Sequence, residues 1–346
     1  AHRRIEGLSS SRNLWAIFSG HDEMGHPDYT GWPVPHLKTH QQTYVDWLYR
    51  AYRGGLRLVV APAVNNQDMG GRGENRIGFL NSLMAMVGAQ AEPLPDRTSN
   101  DMEALEIQTR AAHEFEAWVA EHQGGWLGIA ETPEEASDLI ASGRLAIVLG
   151  SEVDHVFNCD FGRRCDEAWI DEGLDRFEAL GLAVIFPTHH KATQLGDSAN
   201  FQPLNTGPLR DCPQFTMPCA ATGMTELGRY LIREMMARGL LVDLGHAGDR
   251  PFEDTIQLLE AESYPTFMTH ASAHPLKPEG SAEYTLTHEQ LRRIDALGGM
   301  VSFHDAAGEY AGVDNVGARI PFGCKGGGGA YVQSYLYTRD AMGGGL

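Results

Sequence analysis

The stretch LVDLGHAGDR, residues 241–250, begins as a buried strand would and then arrives at an imidazole, His246. A second stretch of the same build, YPTFMTH at 264–270, stops on His270. Four further runs share the plan: GGLRLVVAPAV (54–64), GRLAIVLGSE (143–152), GLAVIFPTH (181–189) and GGMVSFHD (298–305). They are apolar without alternation, the pattern of strands buried on both faces, and such strands belong to parallel sheets.

Helical patterns with sensible ends lie between these runs. Thr132-Pro133-Glu134-Glu135 reads as a capping box with proline at the first helical position, and Thr287 to Gln290 as a second. In MTELGRYLIREMMARG (224–239) the residues Leu227, Leu231 and Met235 recur at helical spacing, and Gly239 ends the helix just before the next strand. The alternation of strand and helix is that of an α/β fold, a (β/α)8 TIM-like barrel or a doubly wound sheet. Six strands are legible, with NLWAIFSGH (13–21) a further candidate, so an eightfold barrel here has missing or atypical first and last strands. After the helical AYVQSYLYTRDAM (330–342) a further strand is expected beyond Leu346. No long linker or charge block divides the chain, which reads as a single domain over 1–346 with a loop-rich segment at 1–42.

A chain of 346 residues with a formal charge of -19 repels a phosphate backbone, and no basic run offsets that charge. Nucleic acid is therefore not an expected partner. No stretch approaches the roughly 18 consecutive apolar residues of a membrane span. The five cysteines, at 159, 165, 212, 219 and 324, show no tight metal-ribbon spacing. Two short-loop disulfides and a set of buried or free thiols both fit; the former would place the chain outside the cytoplasm, which is the side the reading leans to.

In a barrel the carboxyl ends of the strands face one cavity, so Glu152, His189, His246, His270 and His304 would converge there. Imidazole nitrogens and carboxylate oxygens are the ligands zinc accepts. One histidine among the 15 of this chain is more often a satisfied core or surface residue, and His304 has no support beyond its position. Four histidines and a glutamate at successive strand ends form a pattern.

The segments SGRLAIVLGSEVDH, LGLAVIFPTHH, MTELGRYLIREMMARGLLVDLGHAGD and YPTFMTHASAHPL, followed by LTHEQLRRIDALGGMVSF, resemble successive motifs of the membrane (renal) dipeptidase family. That family is a branch of the metal-dependent amidohydrolase superfamily, and the resemblance runs over roughly residues 140–303. It implies a distorted (β/α)8 barrel whose two-zinc site hydrolyses dipeptides with a metal-activated water as nucleophile. By the resemblance, Glu152 bridges two metals, His246 and His270 hold the second, and His189 contacts the substrate and the developing oxyanion. One or two zinc ions, or another divalent metal, are the cofactors it implies.

This sequence also departs from the family. Where the family has His-x-Asp on its first strand, SGHDEM (19–24) offers His21 and Glu23. The family's last-strand aspartate, its proton acceptor and donor, would fall just after Leu346. Tyr284-Thr285 stands in place of an Arg-Asn pair whose arginine grips the substrate's carboxylate, making Tyr284 the corresponding substrate-side residue and leaving dipeptide specificity open. The expected activity is zinc-dependent hydrolysis of a peptide or amide bond in a small substrate, by a chain compatible with a homodimer. Two other readings follow: an incomplete barrel that binds a metal or small ligand without turnover, and an enzyme holding a phosphorylated ligand near the tetraglycine at 326–329. Against the latter stand the net acidity and the lack of any basic neighbour except Lys325.

Overall fold

The computed structural model describes residues 45–65, 100–162, 164–198, 223–273, 285–303 and 328–343. Its elements are α1 (Val45–Arg53), β1 (Leu58–Asn65), α2 (Asp101–His122), β2 (Leu127–Ile129), α3 (Pro133–Ala141), β3 (Leu145–Val153), α4 (Glu167–Ala179), β4 (Leu182–Ile185), α5 (Glu226–Ala237), β5 (Leu241–Val242), α6 (Asp249–Ala261), β6 (Phe267–Ala273), β7 (Thr285–Leu286), α7 (His288–Ala296), β8 (Met300–Phe303) and α8 (Gly328–Ala341). The expected strand at 13–21 and the residues His21, Glu23, Tyr284 and His304 lie outside the described residues.

All six strands legible in the sequence are present, and every strand pairing among the described residues is parallel. β3 carries the sheet. It pairs with the whole of β1 over Ala146–Val153, with β2 over Leu145–Ile147 and with β4 over Leu149–Ser151. β4 pairs with β5, a single parallel bridge from Asp243 to Phe267 leads on to β6, and β6 pairs with β8 and β7. The parallel succession therefore runs β1-β3-β4-β5-β6-β8. Among the described residues no pairing joins β8 to β1. β2 and β7 were not expected, because three and two residues are too few to show a period.

Burial follows the sequence pattern most closely in the middle of the sheet. All but one residue of β3 are buried, and Val184, Ile185 and Val242 are fully so. β1 departs from the expectation of burial on both faces: Leu58 and Val64 are 40% and 38% exposed. The core between sheet and helices is filled by Leu174 and Phe177 of α4 and Leu231, Ile232 and Met235 of α5.

The helix ends follow local chemistry. Asn100 caps α2 by accepting from the Met102 and Glu103 amides, and Asp166 and Thr225 do the same for α4 and α5. The capping box at Thr287 and Gln290 is complete. That at Thr132 is only half formed: Thr132 accepts from the Glu135 amide, but the Glu135 carboxylate reaches the Glu131 N–H instead, one residue further out. Just past α5 and its cap Arg238, Gly239 takes φ 76°, a left-handed turn. Its N–H and that of Leu240 return to the carbonyls of Met236 and Met235, closing the last turn and aiming the chain into β5. The tetraglycine is not all loop, since Gly328 and Gly329 begin α8.

Cys159 and Cys165 form a disulfide just after β3; Cys212, Cys219 and Cys324 lie outside the described residues. Among the described residues no helix is long and apolar enough to cross a membrane.

Candidate metal centre

Four imidazoles and a carboxylate meet beyond the carboxyl ends of β3, β4 and β5 and against β6. Glu152, the second-to-last residue of β3, is 7% exposed. Its Oε1 lies 3.3 Å from His189 Nε2, 3.0 Å from His246 Nε2 and 3.3 Å from His270 Nε2. His246 and His270 face each other, Nε2 to Nε2, at 2.7 Å. The rings of His189 and His190 are 3.8 Å apart, and those of His190 and His246 4.6 Å. Phe186 packs 5.7 Å from the His270 ring and closes the apolar side of the cluster.

The two histidines that raised the strand-end question do not end strands. β5 stops at Val242, and Asp243 then turns its carboxylate back to accept from the Gly245 N–H at 2.8 Å, while Ala247 N–H returns to the Leu244 carbonyl. This turn delivers His246 with φ 59°, a left-handed conformation that costs a residue other than glycine roughly 1–2 kcal/mol. Such strain persists where the surroundings fix it and often marks a functional position. His270 sits inside β6, where the register with β8 shifts between Met268 and Ala271.

The donor set fits a divalent cation. Ligands of four-coordinate zinc lie roughly 3.3–3.4 Å apart, the edge of a tetrahedron with metal–nitrogen bonds of 2.0–2.1 Å. The triangle of Glu152 Oε1, His246 Nε2 and His270 Nε2 has edges of 3.0, 3.3 and 2.7 Å. Two ring nitrogens 2.7 Å apart share at most one proton between them, so a lone pair is directed into the cluster. The ligand atoms of Glu152, His246 and His270 form one such group, and those of His189, His190 and His246 another, each within 4.8 Å.

The electrostatics agree. Burial by itself would raise the Glu152 carboxyl, but hydrogen bonds from His189 and His246 and the charges of His189 and His270 hold it far below the usual range, so it is an anion. Burial, reinforced by the neighbouring His189, pushes His246 down to about 3 against the pull of Glu152, leaving a neutral imidazole. For His190, burial and then His189 and His246 lower it to about 2. His189 goes the other way, to about 9: burial lowers it, but hydrogen bonds to Asp154 and Glu152 outweigh that.

Sequence reasoning brought out Glu152, His189, His246 and His270, and all four meet here. It missed three supporting residues. Asp154, 1% exposed, places Oδ1 2.7 Å from His189 Nδ1 and is two residues from Glu152, the spacing that puts side chains on one face of an extended chain. His190 adjoins a named residue. Asp243 is a carboxylate within an apolar run, a signal in itself since an ionised group is costly to bury. Asn65 gives its amide to Asp101, whose carboxylate also accepts from the His155 N–H and meets its ring, tying β1 and α2 to the end of β3.

Asp243 supports a pH prediction for the metal-free chain. It is fully buried, and that burial raises it to about 7 despite hydrogen bonds from Gly245 and Thr269. Between about pH 4 and 7 the unfolded chain has lost this proton while the folded chain keeps it. Stability contributed by the protonated form is therefore lost as pH rises to about 7, by an amount on the order of 2–4 kcal/mol. Urea unfolding across this range should show a slope that Asp243→Asn removes; an unchanged slope would rule out Asp243 as its source.

Parallel β/α units with a carboxylate and imidazoles gathered past the strand ends define a metal-centre protein of the β/α-barrel class. The chain belongs to the membrane dipeptidase family, peptidase family M19, whose profile matches residues 37–332. It is 31% identical over 128 residues to the uncharacterized protein in the pqqA 5′ region of Klebsiella pneumoniae, covering 37% of this chain and 41% of that one. It is 24% identical over 173 residues to the uncharacterized protein in the PQQ-III 3′ region of Acinetobacter calcoaceticus, covering 50% and 46%. These matches span about half the length of each relative. Among solved structures, a metallopeptidase from Rhodobacter sphaeroides, liganded with a phosphinate mimic of the dipeptide L-Ala-D-Ala, aligns with 98% of this chain and 80% of its own. The TM-score is 0.51 at 19% identity, a likeness of fold.

Proposed function

We propose that this chain is a zinc-dependent hydrolase of a peptide or amide bond in a small, dipeptide-like substrate. The observation that carries the proposal is the meeting of Glu152 Oε1 with three imidazole Nε2 atoms at 3.0–3.3 Å. Glu152, His246 and His270 would hold the ion. A divalent cation there supplies Lewis acidity, which polarises a carbonyl and makes water acidic near neutral pH. The chain's own part is to keep Glu152 ionised, to present His246 as a neutral imidazole, and to fix both rings through the Asp243 turn and Phe186. Family membership and the dipeptide mimic on the Rhodobacter sphaeroides metallopeptidase support a dipeptide as substrate class, with Tyr284 on the substrate side as the resemblance implies.

The test is amino-acid release from a panel of dipeptides, L-Ala-D-Ala included, by the full chain stripped of metal and then reloaded with zinc. Turnover that disappears with the metal and returns with it is the expected result. Zinc binding without turnover on any member would overturn the enzyme reading in favour of a barrel that binds an ion only. The Cys159–Cys165 disulfide supports an oxidising, extracytoplasmic compartment as part of this proposal. The homodimer belongs to it as well, and light scattering of the eluted chain reads it.

A further inference from the structure

Asp154 is a buried carboxylate that the ion site leaves unexplained. It is 1% exposed, follows β3 directly and stands two residues beyond Glu152. Its Oδ1 is 2.7 Å from His189 Nδ1 and 3.4 Å from the His190 backbone nitrogen. Among the described residues its Oδ2 is buried with no hydrogen-bond partner. An ionised group is costly to bury unless it is paired, and the short contact here is the one to the His189 ring. An ionised carboxylate accepts and does not donate, so the hydrogen at this contact belongs to Nδ1.

The backbone on either side of His189 is fixed by other contacts. Phe186 N–H donates to the Ser151 carbonyl, and Gln194 N–H to the Cys159 carbonyl. The Gln194 side chain accepts from the Cys165 N–H and donates to the Asp160 carbonyl, which straps the segment after β4 to the disulfide loop after β3. These contacts leave open the rotation of the His189 ring. Its ring neighbours do not decide it. His190 and His246 pack with centroids 3.8 and 4.4 Å away, and a half-turn of an imidazole keeps its plane and its outline. The half-turn does exchange each nitrogen for a carbon. Asp154 opposes it, because a carbon would then face the buried carboxylate. With Nδ1 held there, Nε2 is the nitrogen 3.3 Å from Glu152 Oε1, on the side where ion and substrate would meet.

We infer that Asp154 is a positioning residue for hydrolysis: it locks the His189 ring through Nδ1 and so turns Nε2 to the scissile carbonyl of the substrate. The inference rests on the metal-hydrolase reading and keeps His189 on the substrate side. Reacting groups need to be aligned at about 3–3.5 Å, and a misplacement of about 1 Å can cost roughly 100-fold in rate. A ring turned the wrong way is a misplacement of that order.

Two measurements test the inference. The first is NMR of the imidazole nitrogens in the metal-free full chain, with His189 assigned by its loss in His189→Gln. A proton on His189 Nδ1 is expected; a bare Nδ1 would overturn the inference without recourse to any variant of Asp154. The second is dipeptide turnover of the zinc-loaded chain, with zinc affinity measured alongside. Asp154→Ala should lower kcat by roughly 100-fold while KM and zinc affinity stay close to the parent's, the pattern of an interaction made only in the transition state. Asp154→Asn has the same shape and keeps an acceptor oxygen, so it should recover part of the loss, and it carries the test if the alanine variant unfolds. In a His189→Ala background Asp154→Ala should cost little further, since a residue acting through His189 then has nothing to position. Equal losses in both backgrounds, a kcat unchanged by Asp154→Ala, or a loss of turnover that tracks a loss of zinc would each overturn the inference and leave the proposed function standing. A parent without turnover would end the proposed function, and this inference with it.

Discussion

With Glu152 replaced by alanine, the chain is expected to lose zinc affinity by more than about a hundredfold and to show no hydrolysis above background. The bound is set by outer-shell partners of metal ligands, whose loss alone costs 10–100-fold. Among the described residues Glu152 supplies the one carboxylate oxygen within 3.3 Å of the Nε2 atoms of His189, His246 and His270. Without it the neighbouring imidazoles lose both their shared anion and a ligand. Glu152→Gln keeps the shape and one acceptor oxygen but removes the charge, so it should bind zinc more weakly than the parent and no more weakly than the alanine variant. Chelator competition and dipeptide turnover read both. Unchanged affinity in Glu152→Ala would contradict the ligand assignment, whatever happened to activity.

The second large effect is on stability. Gly228→Ala, in the first turns of α5, should cost about 3 kcal/mol or more of folding free energy. A Cβ at this position would stand 1.8 Å from the Leu195 carbonyl oxygen and 2.7 Å from Met224 Cε. A methionine end can move, but Leu195 O is backbone already engaged by the Thr225 N–H and hydroxyl. Helix propensity alone would favour alanine by about 1 kcal/mol. Overpacking against fixed backbone costs 1–3 kcal/mol and occasionally more, and here relief requires moving the segment that follows His189. Gly239→Ala makes a useful contrast: its strain is only that of the left-handed φ, with no atom within 4 Å, and roughly 1–2 kcal/mol is expected. Urea unfolding that finds Gly228→Ala as stable as the parent, or less costly than Gly239→Ala, would contradict the packing described for the β4–α5 connection.

The parts of the fold legible in the sequence were those in which one physical cause dominates. Continuous apolar runs marked β3, β4 and β5 because these strands are covered on both faces, and the threonine caps of α3 and α7 stand where the backbone needs an acceptor. β2 and β7 were invisible because pairing to a longer neighbour, and not their own two or three residues, makes them strands. The candidate site was legible in its ligands, since an imidazole after an apolar run is conspicuous. How His246 gets there was not: its left-handed turn depends on the Asp243 carboxylate and the Gly245 amide, a contact that residue types alone do not disclose. Asp154 escaped for a similar reason, because its meaning lies in His189, 35 residues away in the chain.

The central claim is that Glu152, His246 and His270 hold a divalent ion. Native mass spectrometry of the full chain, after zinc loading and desalting and beside Glu152→Ala, tests it most directly. The account predicts zinc retained on the parent and lost from the variant. A parent that keeps no zinc, or a variant that keeps as much, would contradict it.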